Sequence, residues 1–221
     1  MGVVTISAPY GARGHEVGTA VAEQLGLILL DRAIPAAVAR QLNISDQEAE
    51  DLDERAPSPW ERLASAFADV GPIGAAAPGP ESTQSPDDYR LATESVLLHT
   101  ADTTGAVVLG RAGMVILRGR PDVLSVRLDG PAEARIAHMV AQGTDETTAR
   151  QAQRDLDRTR EAFARIFYNV HQDDPRLYHL ILDTTALPVA ICIEIIVTAA
   201  KARFAQVKVG IPVSPPPAVS S

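Results

Sequence analysis

Lysine is nearly absent from this sequence of 221 residues, and the two lysines, Lys201 and Lys208, lie near its C-terminal end. A bound anion in the rest of the chain must therefore be neutralised by arginine or histidine. The formal net charge is −8 at pH 7. It excludes the broad positive surface that nucleic acids and anionic membranes normally require, so neither is expected as a partner. A polyanionic ligand would need a local cluster of arginines.

The sequence has one cysteine, which excludes an internal disulfide framework. Cys192 lies in the apolar run PVAICIEIIVTAA, where no base or cation would stabilise a thiolate, and we predict that it lies in the core. The chain starts without a basic and apolar leader and has no long apolar stretch, so we expect a cytoplasmic protein. His99, His171 and His179 show no paired metal spacing, and no zinc site is expected.

Alternating strand and helix patterns predict a single α/β domain over residues 1–207, and an apolar content of 46% permits a sizeable core. Nearly continuous apolar runs are typical of strands buried on both faces of a parallel sheet. The expected fold has three layers, with a mostly parallel sheet of about five strands between helices. The expected strands are Val3–Ala8, Leu27–Asp31, Gly105–Gly110, Val123–Gly130 and His179–Thr185.

The helical patterns are interrupted by one long segment and followed by a polar tail. Gly, Pro and Ser dominate residues 71–88, which predicts a flexible loop, and residues 208–221 predict a disordered tail. A capping box is predicted at Ser45 and Glu48, and an amphipathic helix around Trp60. The expected helices are Glu16–Leu25, Ala33–Leu42, Tyr89–Thr100, Ala132–Gln142, Thr147–Phe167 and Pro188–Phe204.

The segment APYGARGHE joins the first predicted strand to a helix and has the layout of a phosphate-binding loop. Such a loop directs backbone N–H groups and the positive end of a helix dipole at an anion. Against the pattern GxxxxGK[ST], Ala8 replaces the first glycine, Arg13 the last glycine, Gly14 the lysine and His15 the Ser/Thr. A plain tight turn explains the same residues. The candidate nucleotide-binding residues are Tyr10, Gly11, Ala12, Arg13, Gly14, His15 and Glu16.

The order of several other segments favours the functional interpretation of the loop. GLILLDR, VVLGRAG, VLSVRLDGPAEARIAHMVAQG, and DLDRTREAF followed by LILDTT resemble, one after another, segments of bacterial cytidylate kinases. The opening ISAPYGARGHEVGTAVAEQLG resembles the loop region of the cytidylate kinase-like family, which generally lacks the standard lysine. The resemblance extends from Val3 to Thr198. It implies a P-loop kinase fold with a helical lid near residues 145–174.

The resemblance also implies a chemistry: phosphoryl transfer from ATP to a nucleoside monophosphate, assisted by Mg²⁺ that enters with the nucleotide. Arginine suits this task because its planar fork donates bidentate hydrogen bonds to phosphate. Arg13 is the first candidate for the donor phosphates, with a surface arginine on a turn as the alternative. His15 is a candidate phosphate or magnesium neighbour or, equally, a helix cap. His138 stands where cytidylate kinases carry an arginine against the donor adenine.

The acceptor nucleotide is expected at the carboxyl edge of the sheet. Asp31 and Arg32 end the second predicted strand and lead toward the acceptor side, although a strand-terminal ion pair explains them as well. Arg111 resembles the arginine of the cytidylate kinase GRD motif, which contacts the acceptor. Ala112 replaces the aspartate of that motif, which leaves the identity of the acceptor base open. Asp183, which ends the last predicted strand, is assigned to a turn or cap.

The lid arginines complete the candidate site. Asp157, Arg158 and Arg160 in DLDRTRE resemble the lid residues that fold over the transferring phosphoryl group, and Arg154 shares a helix face with Arg158. We predict catalytic roles for Arg13, Asp157, Arg158 and Arg160. An exposed helix with ion pairs one turn apart is the structural alternative.

Two functions remain open at this point. One is a nucleoside monophosphate kinase, preferring pyrimidines, with a nucleoside triphosphate and a monophosphate as its ligands. The other is a non-catalytic nucleotide-binding sensor or interaction module, which the missing loop lysine and hydroxyl, Ala112 and His138 favour. A homo-oligomer built through the predicted Trp60 helix would fit either function.

Overall fold

The computed structural model describes residues 2–31 and 86–209. Several predictions lie outside these residues: the helix at 33–42, the capping box at 45 and 48, the Trp60 helix, Arg32, most of the loop at 71–88 and most of the tail. The chain divides into two compact units, one of residues 1–31 and 97–221 and the other of residues 32–96. The sheet and all candidate residues described below belong to the first unit.

A parallel sheet forms the centre of the first unit, as the apolar runs predicted. Its strand order is β2-β3-β1-β4-β5, and every neighbouring pair is parallel. All the carboxyl ends therefore lie at one edge, where ligands bind in sheets of this type. The strands are β1 (Val3–Ser7), β2 (Ile28–Leu30), β3 (Ala106–Leu109), β4 (Val123–Asp129) and β5 (Leu180–Asp183).

The described helices match the predicted ones to within a few residues. Pro86 starts α2 three residues earlier than expected, in the first turn where proline is tolerated, and α6 extends into the predicted tail. The four-residue α3 and a 3-10 turn at Pro175–Leu177 were not predicted. The helices are α1 (Gly14–Leu25), α2 (Pro86–Thr103), α3 (Gly113–Ile116), α4 (Ala132–Ala141), α5 (Glu146–Tyr168) and α6 (Val189–Val209).

Helices cover both faces of the sheet, which confirms the three-layer prediction. On one face α1 and α6 pack together over the central strands, and Val4 and Ile6 of β1 are at most 1% exposed. On the other face α3 packs against β1, and Met114 joins Ala164 of α5 in a second apolar cluster. Cys192 is fully buried, as predicted, and burial raises the pKa of its thiol.

None of the described helices combines the length and the apolar character needed to cross a bilayer.

His179, just before β5, makes the stability of the fold depend on pH. The imidazole Nδ1 of His179 accepts a hydrogen bond from the Ser125 N–H at 2.9 Å, and the backbone N–H of His179 donates to the Ser125 carbonyl at 2.8 Å. Burial, with a smaller effect from the charge of Arg203, lowers the pKa of His179 to about 4. The unfolded chain therefore takes up a proton near pH 6.5, well before the folded protein does.

We expect the free energy of unfolding to fall as the pH drops from about 6.5 to about 4, by about 3 kcal/mol from this residue. Urea unfolding across that range measures the effect. In His179→Asn the amide oxygen can still accept the Ser125 hydrogen bond but nothing titrates, so its pH dependence should be shallower by that amount. Equal pH dependence in the wild type and the variant would contradict the assignment.

Candidate active site

Residues 8–13 connect β1 to α1 in a tightly fixed loop. Gly11 has φ 77°, and a Cβ at this position would lie 2.5 Å from the backbone oxygen of Arg135, so only glycine fits. The Ala12 carbonyl accepts a hydrogen bond from Thr184 Oγ1 at 3.1 Å, and its N–H donates to Pro9 at 3.1 Å. The first N–H groups of α1 have no partner inside the helix, and the fixed loop directs them toward the carboxyl edge of the sheet.

Two positions explain how the loop departs from the standard pattern. Arg13 has φ 58°, a left-handed conformation that favours glycine, the residue that the pattern places there. Gly14 shows why the lysine is missing, because a Cβ at Gly14 would lie 2.7 Å from Cβ of Ala8. The standard pattern has glycine at position 8 and lysine at position 14, whereas this chain has alanine and glycine there. The side chain of Ala8 and a lysine at position 14 exclude each other in this loop conformation.

A buried arginine that the sequence did not reveal binds the loop to two other elements. Arg135 on α4 is 6% exposed. Its Nη1 donates to the Tyr10 carbonyl at 2.6 Å and to Asp157 Oδ2 at 2.9 Å, and its Nε donates to the Gly130 carbonyl at 2.9 Å. Asp157 Oδ1 in turn accepts from the Tyr10 N–H at 2.8 Å. We call Arg135, Tyr10 and Asp157 the loop clamp.

The clamp determines what Asp157 does in this conformation. Its Oδ1 is bonded to the loop, and its Oδ2 accepts from both Arg135 and Gln153 Nε2, the latter at 3.0 Å. The carboxylate therefore holds α5, the predicted lid, on the loop. A direct catalytic role for Asp157 stays a prediction.

Arg160 lies one turn beyond Asp157 on α5 and reaches the start of the loop. Its Nη1 donates to the Ala8 carbonyl at 2.9 Å. Desolvation lowers the pKa of Arg160, the nearby charges of Arg111 and Arg135 lower it further, and Asp157 and Asp31 oppose the shift. The residue as a whole is exposed, and a guanidinium stays charged at any working pH. Positive groups from α5, α4 and the end of β3 thus gather at the phosphate-type loop.

The second part of the site lies around the first turn of α1. His15 Nδ1 is 3.0 Å from Asp31 Oδ2, which joins α1 to the residue after β2. Arg13 Nη1 is 3.6 Å from Glu16 Oε2. Burial lowers the pKa of His138, and the charge of Arg13 lowers it further, so the imidazole is neutral near pH 7 and lies close to Arg13. The structure therefore brings Arg13 and His138 to the same part of the molecule.

Arg154 and Arg158 are not part of this assembly. Arg154 donates to Gln151 Oε1 at 3.0 Å, in an exposed stretch of α5 where Gln151 also donates to Asp155 at 2.7 Å. Arg158 is exposed and, within the described part of the chain, forms no hydrogen bond or ion pair with the loop. The exposed-helix alternative therefore describes Arg154 in this conformation.

The turns after β3 and β5 also lie at this edge of the sheet. Arg111 and Ala112 both have positive φ, 55° and 53°, in the turn that leads into α3. Asp183 Oδ1 accepts hydrogen bonds from the Thr185 hydroxyl at 2.6 Å and from the N–H groups of Thr185 at 2.8 Å and Ala186 at 3.1 Å. These bonds confirm its predicted turn role, and the hydroxyl bond followed by the N–H bonds lowers the pKa of its carboxyl.

Sequence reasoning missed Arg135 because arginines on helices mostly lie at the surface. Nothing in the spacing of α4 distinguishes Arg135 from the exposed arginines of α5, and two of its three hydrogen-bond partners lie 125 and 22 residues away.

The strand order, the glycine-bearing loop before α1 and the arginine-bearing helix over that loop define an α/β protein with the fold of the P-loop kinases. A model of the cytidylate kinase-like family matches residues 3–186. The chain belongs to this family.

Solved structures share the fold at low sequence identity. An uncharacterised protein from Eubacterium ventriosum ATCC 27560 is 16% identical, with 91% of this chain and 99% of that chain covered and a TM-score of 0.62. A gluconokinase from Sinorhizobium meliloti 1021 is 16% identical, with 95% of both chains covered and a TM-score of 0.48. A shikimate kinase from Acinetobacter baumannii in complex with shikimate is 15% identical, covering 91% and 94%, with a TM-score of 0.46. Comparison with curated proteins finds no match.

Proposed function

We propose that this protein is a nucleoside monophosphate kinase that transfers the terminal phosphoryl group of ATP to a pyrimidine nucleoside monophosphate. The observation that carries the proposal is the hydrogen bond from Arg160 to the Ala8 carbonyl, which holds a lid arginine at the phosphate-type loop. Membership of a kinase-like family supports it.

Arginine and backbone groups would replace the missing lysine. The N–H groups at the start of α1 would bind the donor phosphates, and Arg13 at the N-cap would add a charge there. Arg160 would neutralise the charge that develops on the phosphoryl group during in-line transfer. Phosphoryl transfer requires mainly positioning and electrostatic stabilisation, both of which these groups can provide.

The residues present also fit a magnesium ion, which would neutralise phosphate charge when it enters with the nucleotide. Mg²⁺ prefers oxygen ligands and keeps several waters, and Asp31 places a carboxylate beside the first turn of α1. His15 occupies the Ser/Thr position and would orient this carboxylate rather than bind the ion. Asp31 is therefore proposed to act on the metal side of the site.

Arg111 is proposed to bind the acceptor phosphate, since it follows β3 at the same sheet edge and its charge acts on Arg160. His138, neutral and close to Arg13, would pack against the donor base. The side chain of Ala112 has no polar group that could bond to a cytosine or a deoxyribose, so the proposed acceptor is a pyrimidine monophosphate without a more specific base or sugar. Arg154 and Arg158 would contribute only if the lid moved further over the loop.

ADP formation with ATP, Mg²⁺ and CMP, dCMP, UMP, AMP or GMP in turn tests this function. We expect ADP formation that requires a monophosphate and is faster with pyrimidines, and we expect Arg13→Ala to weaken ATP binding in calorimetry. Turnover with purines alone would contradict the substrate class. No turnover with any acceptor, although calorimetry shows nucleotide binding, would contradict the kinase function.

The second candidate, a non-catalytic nucleotide-binding module, is favoured by one feature. The contact between Ala8 and Gly14 removes the space for the lysine that usually reaches the terminal phosphates. Arg160 opposes this alternative, because a guanidinium held at the loop is placed to stabilise charge on a transferring phosphoryl group.

A further inference from the structure

Three metal-ligating side chains converge at the C-terminal part of α5, away from the loop. Glu161 lies on α5, and His171 and Asp173 lie on the segment that follows it. One ligand atom of each lies within 4.8 Å of the others, and Glu161 Oε1 is 2.8 Å from His171 Nδ1. Within the described residues this is the set of His, Asp and Glu side chains close enough to share an ion. We propose that these three side chains bind a divalent transition-metal ion of the zinc type.

Gln172, which lies between His171 and Asp173, is held by four hydrogen bonds. The Gln172 N–H donates to Glu161 Oε2 at 2.9 Å, and its Nε2 donates to the Arg160 carbonyl at 2.7 Å. The Gln172 carbonyl accepts from Arg127 Nη1 and from the Tyr178 hydroxyl, both at 2.7 Å. His171 and Asp173 flank this fixed residue, so the backbone that carries them is already in place and little ordering remains for ion binding.

The donor set indicates the kind of ion. An imidazole with two carboxylates suits zinc, which binds nitrogen at about 2.0–2.1 Å and oxygen at about 2.0–2.2 Å, and water would complete a tetrahedron. Calcium and magnesium prefer oxygen ligands alone and would not gain from His171. Two donors on a tetrahedral zinc lie roughly 3.3 Å apart. The ion would therefore replace the 2.8 Å hydrogen bond between Glu161 and His171, and the exposed side chains of His171 and Asp173 can rotate to complete the site.

Such an ion would connect the end of the lid helix to the segment behind it. Glu161 follows Arg160 directly in the chain, and the Arg160 carbonyl is already bonded to Gln172. A metal ion bound to Glu161 would therefore rigidify the part of α5 that carries Arg160. The site does not depend on the proposed kinase function, because it requires neither the loop nor a nucleotide.

Equilibrium dialysis of the full chain against Zn²⁺, without nucleotide and with elemental analysis, tests the site. We expect one ion per chain, a higher melting temperature with Zn²⁺, and visible absorption bands when Co²⁺ replaces it. His171→Ala, Asp173→Asn and Glu161→Gln should each weaken binding by at least about tenfold, the scale typical of impaired metal sites. The matched control His99→Ala removes an exposed histidine of α2 and should bind like the wild type.

Two results would overturn the proposal. One is the absence of stoichiometric Zn²⁺ binding in the wild type. The other is binding that survives His171→Ala but is lost in His15→Ala, which would move the ion to the pair formed by His15 and Asp31. Because these measurements use metal alone, they stay informative whether or not the protein turns over nucleotides.

Discussion

Replacing Arg160 with alanine should lower kcat for monophosphate-dependent ADP formation by about 10²- to 10³-fold, the usual cost of losing one preorganised donor to transition-state charge. Arg160 is expected to have this effect because its guanidinium already lies 2.9 Å from the loop carbonyl of Ala8 and has other positive groups around it. The loss corresponds to about 3–4 kcal/mol of transition-state stabilisation. Steady-state kinetics with the preferred acceptor measure it as a fall in kcat and kcat/KM together.

Arg158→Ala is the matched control, since it removes the same side chain two residues away on the same helix. Arg158 is exposed and, among the described residues, forms no hydrogen bond or ion pair with the loop, so its loss should cost much less than that of Arg160. Arg160→Lys should recover only part of the rate, because an ammonium cannot donate in a planar fork. Melting curves of each variant must show that the fold is intact. A larger loss from Arg158 than from Arg160 would contradict the assignment and indicate a lid that rearranges during turnover.

Local signals in the sequence were sufficient for most of the architecture. The apolar run Val3–Ser7 is fully buried as the central strand β1, and the helical period of residues 146–168 appears as one uninterrupted helix. Both patterns depend only on neighbours along the chain, which is why they could be predicted. The strand order could not, because it depends on which strands pair across distances that the pattern does not encode.

The candidate site was predicted less completely, for the same reason. Arg160 could be selected from the resemblance, but its contact with Ala8 spans 152 residues. The metal-ligating cluster joins positions ten residues apart on two elements, so no spacing motif marks it. Asp157 was selected for catalysis, and the structure adds its bonds to Tyr10 and Arg135, which no local pattern reveals.

The missing lysine is the feature that structure explains best. From the sequence alone, Gly14 is an unexplained loss of charge. In the folded loop it is the consequence of Ala8, whose Cβ would lie 2.7 Å from any Cβ at position 14. The two substitutions form one steric solution, and under the proposed function they leave the neutralisation of phosphate to Arg13, Arg160 and Arg111.

Loss of the buried arginine of the loop clamp is expected to cause a large fall in the free energy of unfolding. Arg135→Met removes three hydrogen bonds, two to backbone carbonyls at 2.6 and 2.9 Å and one to Asp157 at 2.9 Å, and it removes the charge that compensates Asp157. Removing one partner of a buried ion pair costs about 3–5 kcal/mol, because the other charge is left uncompensated. At this chain length that corresponds to a fall in melting temperature of about 10 °C. Urea unfolding at neutral pH measures the free energy directly.

A double-mutant cycle with Asp157→Asn separates the ion pair from the loss of packing. Without Arg135 the charge of the Asp157 carboxylate has lost its ion-pair partner. Removing that charge as well should therefore make the double variant at least about 1 kcal/mol more stable than the sum of the two single losses. Arg150→Met is the matched control on α5. Arg150 bonds to Glu133 and Glu146 at 2.8 Å, but its side chain is 38% exposed, so its loss should cost much less than the loss of Arg135. Similar losses for Arg135 and Arg150, or strict additivity in the cycle, would mean that the clamp does not hold the lid helix on the loop.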